Sequence, residues 1–453
     1  MKLRGHLTPV ALVVSALIIS APARADDLLG LYREAVQADA TWLAAQAANR
    51  AQREVGPQAL ARLLPDVSFS GTAFKNKADG ENKYTDPPGT PYDVDNKYNS
   101  HEYRLGLRQP VFRPALIMAY QQAQAQVQSI DATLDAAEQE VGTRVGEAYF
   151  KVLQAESELE VTKAQRDAYL TQLDYAQKAF QHGAGTRTDI DEARSQLDLA
   201  AAQTIQLQYQ LNYQRDALQA IVGRPLTPLA RLSPELMRLE APTPNDFNAW
   251  VKMAEEVNPE LIAARAAVDA AERKIKAELS GHLPTVDFVA QRSKAKGTSS
   301  GPDYTYETDQ KSTLYGVQFD LPIFSGGGQM SAVRQAGAER DKALQQMEAT
   351  RRDIGLRIRK AFDGVAQGVN WVHAYEQAVR SAEQALLSTR KGFIAGTRTT
   401  LDILTAEQNL ATARRDLNKG RFEYLLSKLQ LMALVGKLDE GEIGRFNGWL
   451  VAR

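Results

Sequence analysis

FQHGAGTRTDIDEARSQL, residues 180–197, returns later in the chain as FIAGTRTTLDILTAEQNL, residues 393–410. Aligned with a shift of 213, the two stretches share Phe180/Phe393, Gly183/Gly396, Thr186/Thr399, Asp189/Asp402, Ile190/Ile403, Ala193/Ala406 and Leu197/Leu410, seven of 18 positions. The same shift places Val222-Gly223 on Val435-Gly436. Gln109-Pro110-Val111-Phe112 falls on Leu321-Pro322-Ile323-Phe324 at a shift of 212, and Leu64-Pro65 on Leu283-Pro284 at 219. Order is kept while the shift drifts only across loops, which is the mark of an internal duplication. A period near 213 is too long for a solenoid, so the units are two half-molecules, 26–240 and 241–453. Each reads helix–strand–strand–helix, and together they predict one elongated domain.

Working outward from the repeated stretch, proline disappears between Pro114 and Pro225 and again after Pro322. Those segments are rich in Ala, Gln, Leu, Arg and Glu, all good helix formers. Val141, Val145, Ala148 and Val152 keep an apolar stripe at helical spacing. The pattern predicts helices over about 115–180 and 329–393, each about 100 Å long at 1.5 Å per residue. Helices of that length need neighbours packed along them, as in coiled coils. Gly183, Gly185 and Gly396 are expected to close them as left-handed caps. Thr188-Asp189 and Thr399 are expected to open the helices that double back. Asn258-Pro259-Glu260-Leu261 sits in a helical stretch, about 245–280, that must bend or restart at the proline.

Each half also holds two short alternating segments, 66–75 and 102–111 in the first, 285–294 and 313–321 in the second. Tyr103, Leu105 and Leu107 alternate with Arg104, Gly106 and Arg108. Tyr315, Val317, Phe319 and Leu321 alternate with Leu314, Gly316, Gln318 and Asp320. About ten residues suits a tilted membrane β-strand. The connections, about 76–101 and 295–312, are polar, as the outer loops of such a barrel are. Alternation alone also fits two hairpins of a soluble sheet. Four strands cannot close a transmembrane barrel, because the smallest have about eight, and lipid does not tolerate open edges. A membrane reading therefore demands an oligomer, eight strands as a dimer or twelve as a trimer.

The first 25 residues stand apart. Lys2 and Arg4 precede an apolar run, Val10 to Ile19, and Ala23-Arg24-Ala25 is an A-x-A site, so the reading is a signal peptide cut after Ala25. Charge is balanced, 54 Lys+Arg against 55 Asp+Glu, which offers no basic field for nucleic acid. There is no cysteine, which excludes disulfides, thiolate chemistry and lipidation on cysteine. The five histidines share no ligand spacing, so neither metal nor other cofactor is expected. Ser325-Gly326-Gly327-Gly328 lacks a following Lys-Ser/Thr and reads as a tight turn rather than a phosphate cradle. Nothing carries the signature of an enzyme.

Several pieces together resemble the TolC family of outer-membrane efflux and secretion channels. They are Asn258-Pro259-Glu260-Leu261, Gly281-His282-Leu283-Pro284-Thr285, Leu321-Pro322-Ile323-Phe324 with Gly326-Gly327, Glu147-Ala148-Tyr149-Phe150-Lys151-Val152-Leu153, and Gly396-Thr397-Arg398-Thr399 with Asp402. The resemblance spans essentially the whole mature chain, on the TolC branch rather than the lipid-anchored one. It implies a mainly α fold with a membrane β-barrel portion: a homotrimer whose twelve strands form one barrel in outer-membrane lipid and whose twelve helices form a tunnel through the periplasm. It implies a passive export conduit for proteins or small toxic compounds. The partners would be a periplasmic adaptor (membrane fusion) protein and an inner-membrane ABC, RND or similar transporter. The alternative is a periplasmic coiled-coil adaptor or tether with soluble hairpins.

The turns at 183–191 and 396–405 carry the functional expectation. Carboxylates near helix starts have a purely structural use, since they complement the helix dipole. By residue-by-residue resemblance, Arg398 would pair with Thr188 and Asp189 of the neighbouring inner helix pair and hold a constricted entrance closed. Asp402 would project into the bore as one acidic ring attracting cations. Two departures stand out: Phe393 replaces a tyrosine whose hydroxyl would bond Asp189, and Thr405 replaces a second aspartate. The resemblance thus implies a single ring and a latch with fewer bonds.

Overall fold

The computed structural model describes residues 25–82, 92–301 and 304–451. Nearly all of the expected signal peptide, 1–25, and the tips of the strand connections lie outside the described residues.

Three short helices begin the fold: α1 (Leu28–Ala38), α2 (Ala40–Arg53) and α3 (Val55–Ala61). Strands β1 (Asp66–Asn82) and β2 (Tyr92–Phe112) lead into α4 (Pro114–Gln181) and α5 (Arg187–Val222). Across β3 (Arg231–Leu232), the second half repeats the order with α6 (Phe247–Val257), α7 (Pro259–Leu279), β4 (Thr285–Gly301), β5 (Tyr304–Asp320), α8 (Gly328–Ile394) and α9 (Thr400–Leu434). It closes with α10 (Glu440–Asn447) and β6 (Leu450–Val451), which pairs with β3.

The long helices match the expectation: α4 has 68 residues and α8 has 67. Pro114 sits in the first turn of α4, where its missing N–H costs nothing. The predicted restart at Pro259 is a clean break. Asn258 ends α6 and caps α7, accepting from Leu261 N at 3.2 Å while its Nδ2 donates to Leu434 O at 2.8 Å.

Neither long helix would be stable alone; tertiary packing supplies the stability. A belt at mid-height buries Val141, Val145, Tyr149, Phe150, Val152 and Leu153 of α4 against Phe422, Leu425 and Leu429 of α9 and Phe446 of α10. The Phe150 ring lies 6.0 Å from Tyr149, 6.2 Å from Phe446 and 6.5 Å from Phe422. Gly146 permits this approach, since a Cβ there would stand 2.8 Å from Leu429 Cδ1.

The strands form one antiparallel sheet, β1-β2-β4-β5, in which β2 pairs with β4 and so joins the two halves. They run well past the expected ten residues. β1, β4 and β5 have 17 each and β2 has 21. Most of the segments 76–101 and 295–312, expected as loops, are therefore strand. At about 3.3 Å per residue, 17 residues span roughly 56 Å, beyond the apolar band of about 25 Å. Polar residues outside that band keep pairing because the ladder satisfies their backbone groups just as well in water.

Register settles which side chains share a face. Val67, Leu107, Ala290 and Tyr315 form one cross-strand row. On the other face Ser68, Gly106, Gln291 and Leu314 form the neighbouring row. The first face continues with Phe69, Tyr103, Leu105, Val317 and Phe319, and the Phe69 and Tyr103 rings stack at 6.3 Å. No described helix covers it: Phe69 is 71% exposed, Tyr315 76% and Val317 68%. An aromatic face bare of protein opposite a polar face is what a barrel presents to lipid and lumen. A soluble hairpin would bury it. The outer edges of β1 and β5 pair with no described strand.

Candidate functional site

Both doubled-back turns are built in the same way. Gly183 and Gly396 take φ of +72° and +75°. Around them the closing bonds are Gly183 N to Phe180 O (3.0 Å) and Ala184 N to Ala179 O (2.9 Å), matched by Gly396 N to Phe393 O (3.0 Å) and Thr397 N to Gly392 O (2.8 Å). This paired pattern satisfies the last carbonyls of α4 and α8 and needs the left-handed residue. Gly185 does not share that conformation, contrary to expectation. It is needed for space, since a Cβ would lie 3.1 Å from Ala179 Cβ and from Phe180 N.

The next helices open on reciprocal caps. Thr186 N donates to Asp189 Oδ2 at 2.9 Å, and Asp189 N donates to Thr186 Oγ1 at 3.2 Å. Thr399 N donates to Asp402 Oδ2 at 2.8 Å, and Asp402 N donates to Thr399 Oγ1 at 3.2 Å. The cap in the first copy is thus Thr186, not Thr188 as expected, because only a residue three before Asp189 can close this ring. Thr188 stands exposed inside α5. Burial raises the Asp189 carboxyl, but bonds from the Thr186 hydroxyl and N–H, with a smaller contribution from the nearby Thr400 hydroxyl, outweigh it and hold the group below the usual range. The Thr399 N–H and hydroxyl hold Asp402 down, helped by Arg398.

The two copies then diverge. Arg398 lies 3.7 Å from Asp402 within its own turn, with its side chain 58% exposed. Phe393 packs edge-on against Tyr175, ring centres 5.4 Å apart. Thr405 is exposed. Among the described residues, then, Arg398 and Asp402 come together, Asp189 is held by its own cap Thr186, and Phe393 meets Tyr175, which the sequence reading did not single out.

That reading also missed a ladder along the second hairpin. Glu376–Arg421 (2.9 Å), Glu383–Arg414 (2.8 Å) and Arg390–Glu407 pair α8 with α9. The signal was present: the residues recur every seven positions on both arms, equidistant from the turn. At the other end of the helices Asp287, 1% exposed, takes Arg108 Nε at 2.8 Å and Arg113 Nε at 2.7 Å, tying β4 to the point where β2 becomes α4. No group of His, Asp or Glu among the described residues is placed to hold a metal ion, and no described helix is long and apolar enough to cross a membrane.

Residues 31–224 and 250–437 match the outer membrane efflux protein family. The chain belongs to that family. It is 31% identical over 429 residues to the alkaline protease secretion protein AprF of Pseudomonas aeruginosa, covering 94% of this chain and 88% of that protein. It is 29% identical to the outer membrane protein TolC of Escherichia coli, covering 98% and 89%. Among solved structures, the outer membrane protein VceC of Vibrio cholerae superposes with a TM-score of 0.76 at 21% identity, over 90% of this chain and 96% of that one, a likeness of fold. The protein is a TolC-type channel of the Gram-negative outer membrane that reaches into the periplasm and serves efflux and secretion, not an enzyme. Membership implies a trimer, which supplies partners for the open edges of β1 and β5, and an inner-membrane transport system as its source of cargo.

Proposed function

We propose that the turns at 183–191 and 396–405 form the closed periplasmic entrance of an export duct. Cargo arrives there from an inner-membrane ABC, RND or similar transporter through a periplasmic adaptor. Proteins and small toxic compounds are both candidate cargoes. The two halves, 26–240 and 241–453, act as one elongated domain that carries the entrance at one end and the barrel at the other. Relatives named for protease secretion, AprF and the PrtF of Dickeya chrysanthemi, favour a protein cargo.

The observation that carries the entrance reading is Arg398. Its guanidinium is exposed and, among the described residues, held by a single loose ion pair of 3.7 Å inside its own subunit. It is therefore free to reach Thr188 and Asp189 of the neighbouring subunit. Asp402 would contribute one acidic ring, three carboxylates in the trimer, with neither Thr405 nor Phe393 adding charge or a hydroxyl bond. Bilayer conductance tests both parts. Arg398→Ser should raise conductance, and Asp402→Ala should reduce cation preference; unchanged values would refute the latch and the ring respectively.

A further inference from the structure

The short elements α1, α6 and α10 and the β3–β6 pair pack against the wall helices α4, α8 and α9 at mid-height. A bore that passes cargo has no room for them, so they lie on the outer wall, in the periplasm. There the segment 238–243, α8, the end of α9, α10 and Trp449 border a cavity of about 520 Å³, within the roughly 300–1,000 Å³ of ordinary ligand sites. Its walls are fixed from behind. The hydroxyl of fully buried Tyr424 accepts from Glu240 N and donates to Glu240 O, both at 3.0 Å. Ser233 N donates to Trp449 O at 2.9 Å, beside the pairing of β3 with β6.

Val365, Leu431, Met432 and the Trp449 ring supply the apolar lining, and Phe446 holds that ring edge-on at 5.3 Å. Five charged side chains share the cavity: Arg238, Glu240, Lys428, Glu442 and Arg445. Arg445 and Glu442 pair at 2.7 Å. The Lys428 ammonium is placed differently. It is half-buried, 5.0 Å from the centre of the Trp449 ring, and among the described residues no hydrogen bond or ion pair reaches it. Arg238 and Glu240, both exposed, form no ion pair among the described residues either. Burial lowers the pKa of Lys428 against the fields of Glu240 and Glu442, as it does for any ammonium short of partners.

An ammonium with unused donors beside an aromatic wall is completed by an oxygen anion. The two carboxylates set the kind of anion. Three cations against Glu240 and Glu442 leave one net positive charge, too little for a phosphate dianion. It suits a carboxylate on a molecule that also offers an amine to Glu240. We propose that the cavity binds the stem peptide of murein, the polymer whose layer a tunnel through the periplasm must cross. That peptide carries the groups the cavity calls for: carboxylates for Lys428 and Arg238, the side-chain ammonium of diaminopimelate for Glu240, and alanine methyl groups for Trp449 and its apolar neighbours. The site anchors the trimer to the cell wall from outside the bore and is independent of the entrance.

The test is co-sedimentation of full-length detergent-solubilised trimers with purified murein sacculi, competed by the free tripeptide L-Ala-γ-D-Glu-meso-diaminopimelate. The parent should sediment with intact sacculi and be released by the tripeptide. Sacculi stripped of stem peptides by an amidase should hold at least fivefold less. Lys428→Met keeps the length and apolar stem but removes the charge, and should lower the bound fraction at least fivefold while conductance in bilayers stays at the parent value. If Lys428→Met does not assemble as a trimer, Arg238→Gln at the rim carries the same comparison, with a loss of at least twofold expected. Replacing diaminopimelate by lysine in the competitor removes one carboxylate and should weaken competition at least threefold. Parent-like binding by the assembled variant would overturn the proposal, as would undiminished binding to stripped sacculi or no binding by the parent. Equal competition by L-Ala-L-Ala-L-Ala would mark a site for protein C-termini and would also overturn it.

Discussion

Leu314 and Tyr315 are adjacent in β5, both large, both apolar and both exposed, yet a lysine should be tolerated at one and not at the other. Tyr315 shares its row with Val67, Leu107 and Ala290; Leu314 shares its row with Ser68, Gly106 and Gln291. The first row faces lipid and the second faces the lumen. A lysine facing lipid near the bilayer midplane costs about 2–4 kcal/mol, whereas lumen-facing substitutions act on selectivity instead. At 1.4 kcal/mol per factor of ten, Tyr315→Lys should shift the insertion equilibrium by roughly 30- to 700-fold per copy, compounded over three copies. The assay is urea titration of the heat-modifiable folded band after refolding into phosphatidylcholine liposomes. Tyr315→Lys should fold only at lower urea, while Leu314→Lys should track the parent. Equal midpoints for the two variants, or the reverse order, would refute the face assignment and with it the barrel built on this register.

Gly183→Ala and Gly396→Ala should each destabilise their hairpin by about 1–2 kcal/mol, because an L side chain is strained at positive φ; amide exchange of the turn would accelerate by about a factor of ten. Asp287→Ala leaves Arg108 and Arg113 without their shared acceptor and should lower the urea midpoint, at a cost of about 1–3 kcal/mol, with rescue expected from Asp287→Glu in part. Asp189 has a folded-state pKa below its unfolded one. Its contribution is complete above the unfolded value of about 3.9 and is lost as pH falls through the folded value. Conductance should therefore stay flat from neutral pH down to about 4 and rise below it, and that acid rise should be absent in Asp189→Asn.

Much of this architecture was legible before any coordinates. The duplication, the length of α4 and α8, the restart at Asn258-Pro259 and the doubling back at Gly183 and Gly396 all follow from signals spread over a few neighbouring residues. Caps and helical periodicity are local, so the sequence states them openly. The misassigned cap shows the limit of that rule: Thr188 and Thr186 both precede an acidic helix start, and only the three-residue ring to Asp189 distinguishes them. The strands were read too short because hydropathy reports the lipid band, whereas pairing continues wherever backbone groups find partners.

Tertiary structure alone decided what depends on residues far apart. Register between β2 and β4 joins positions nearly 200 residues apart and sets which face meets lipid. The seam that packs Leu404 of α9 against Ile190, Ala193 and Ala200 of α5 joins the two copies, and no pattern within either copy encodes it. The Arg–Glu ladder lies between these extremes: its seven-residue spacing is visible in the chain, but it becomes an interaction only once the turn has folded the two arms together.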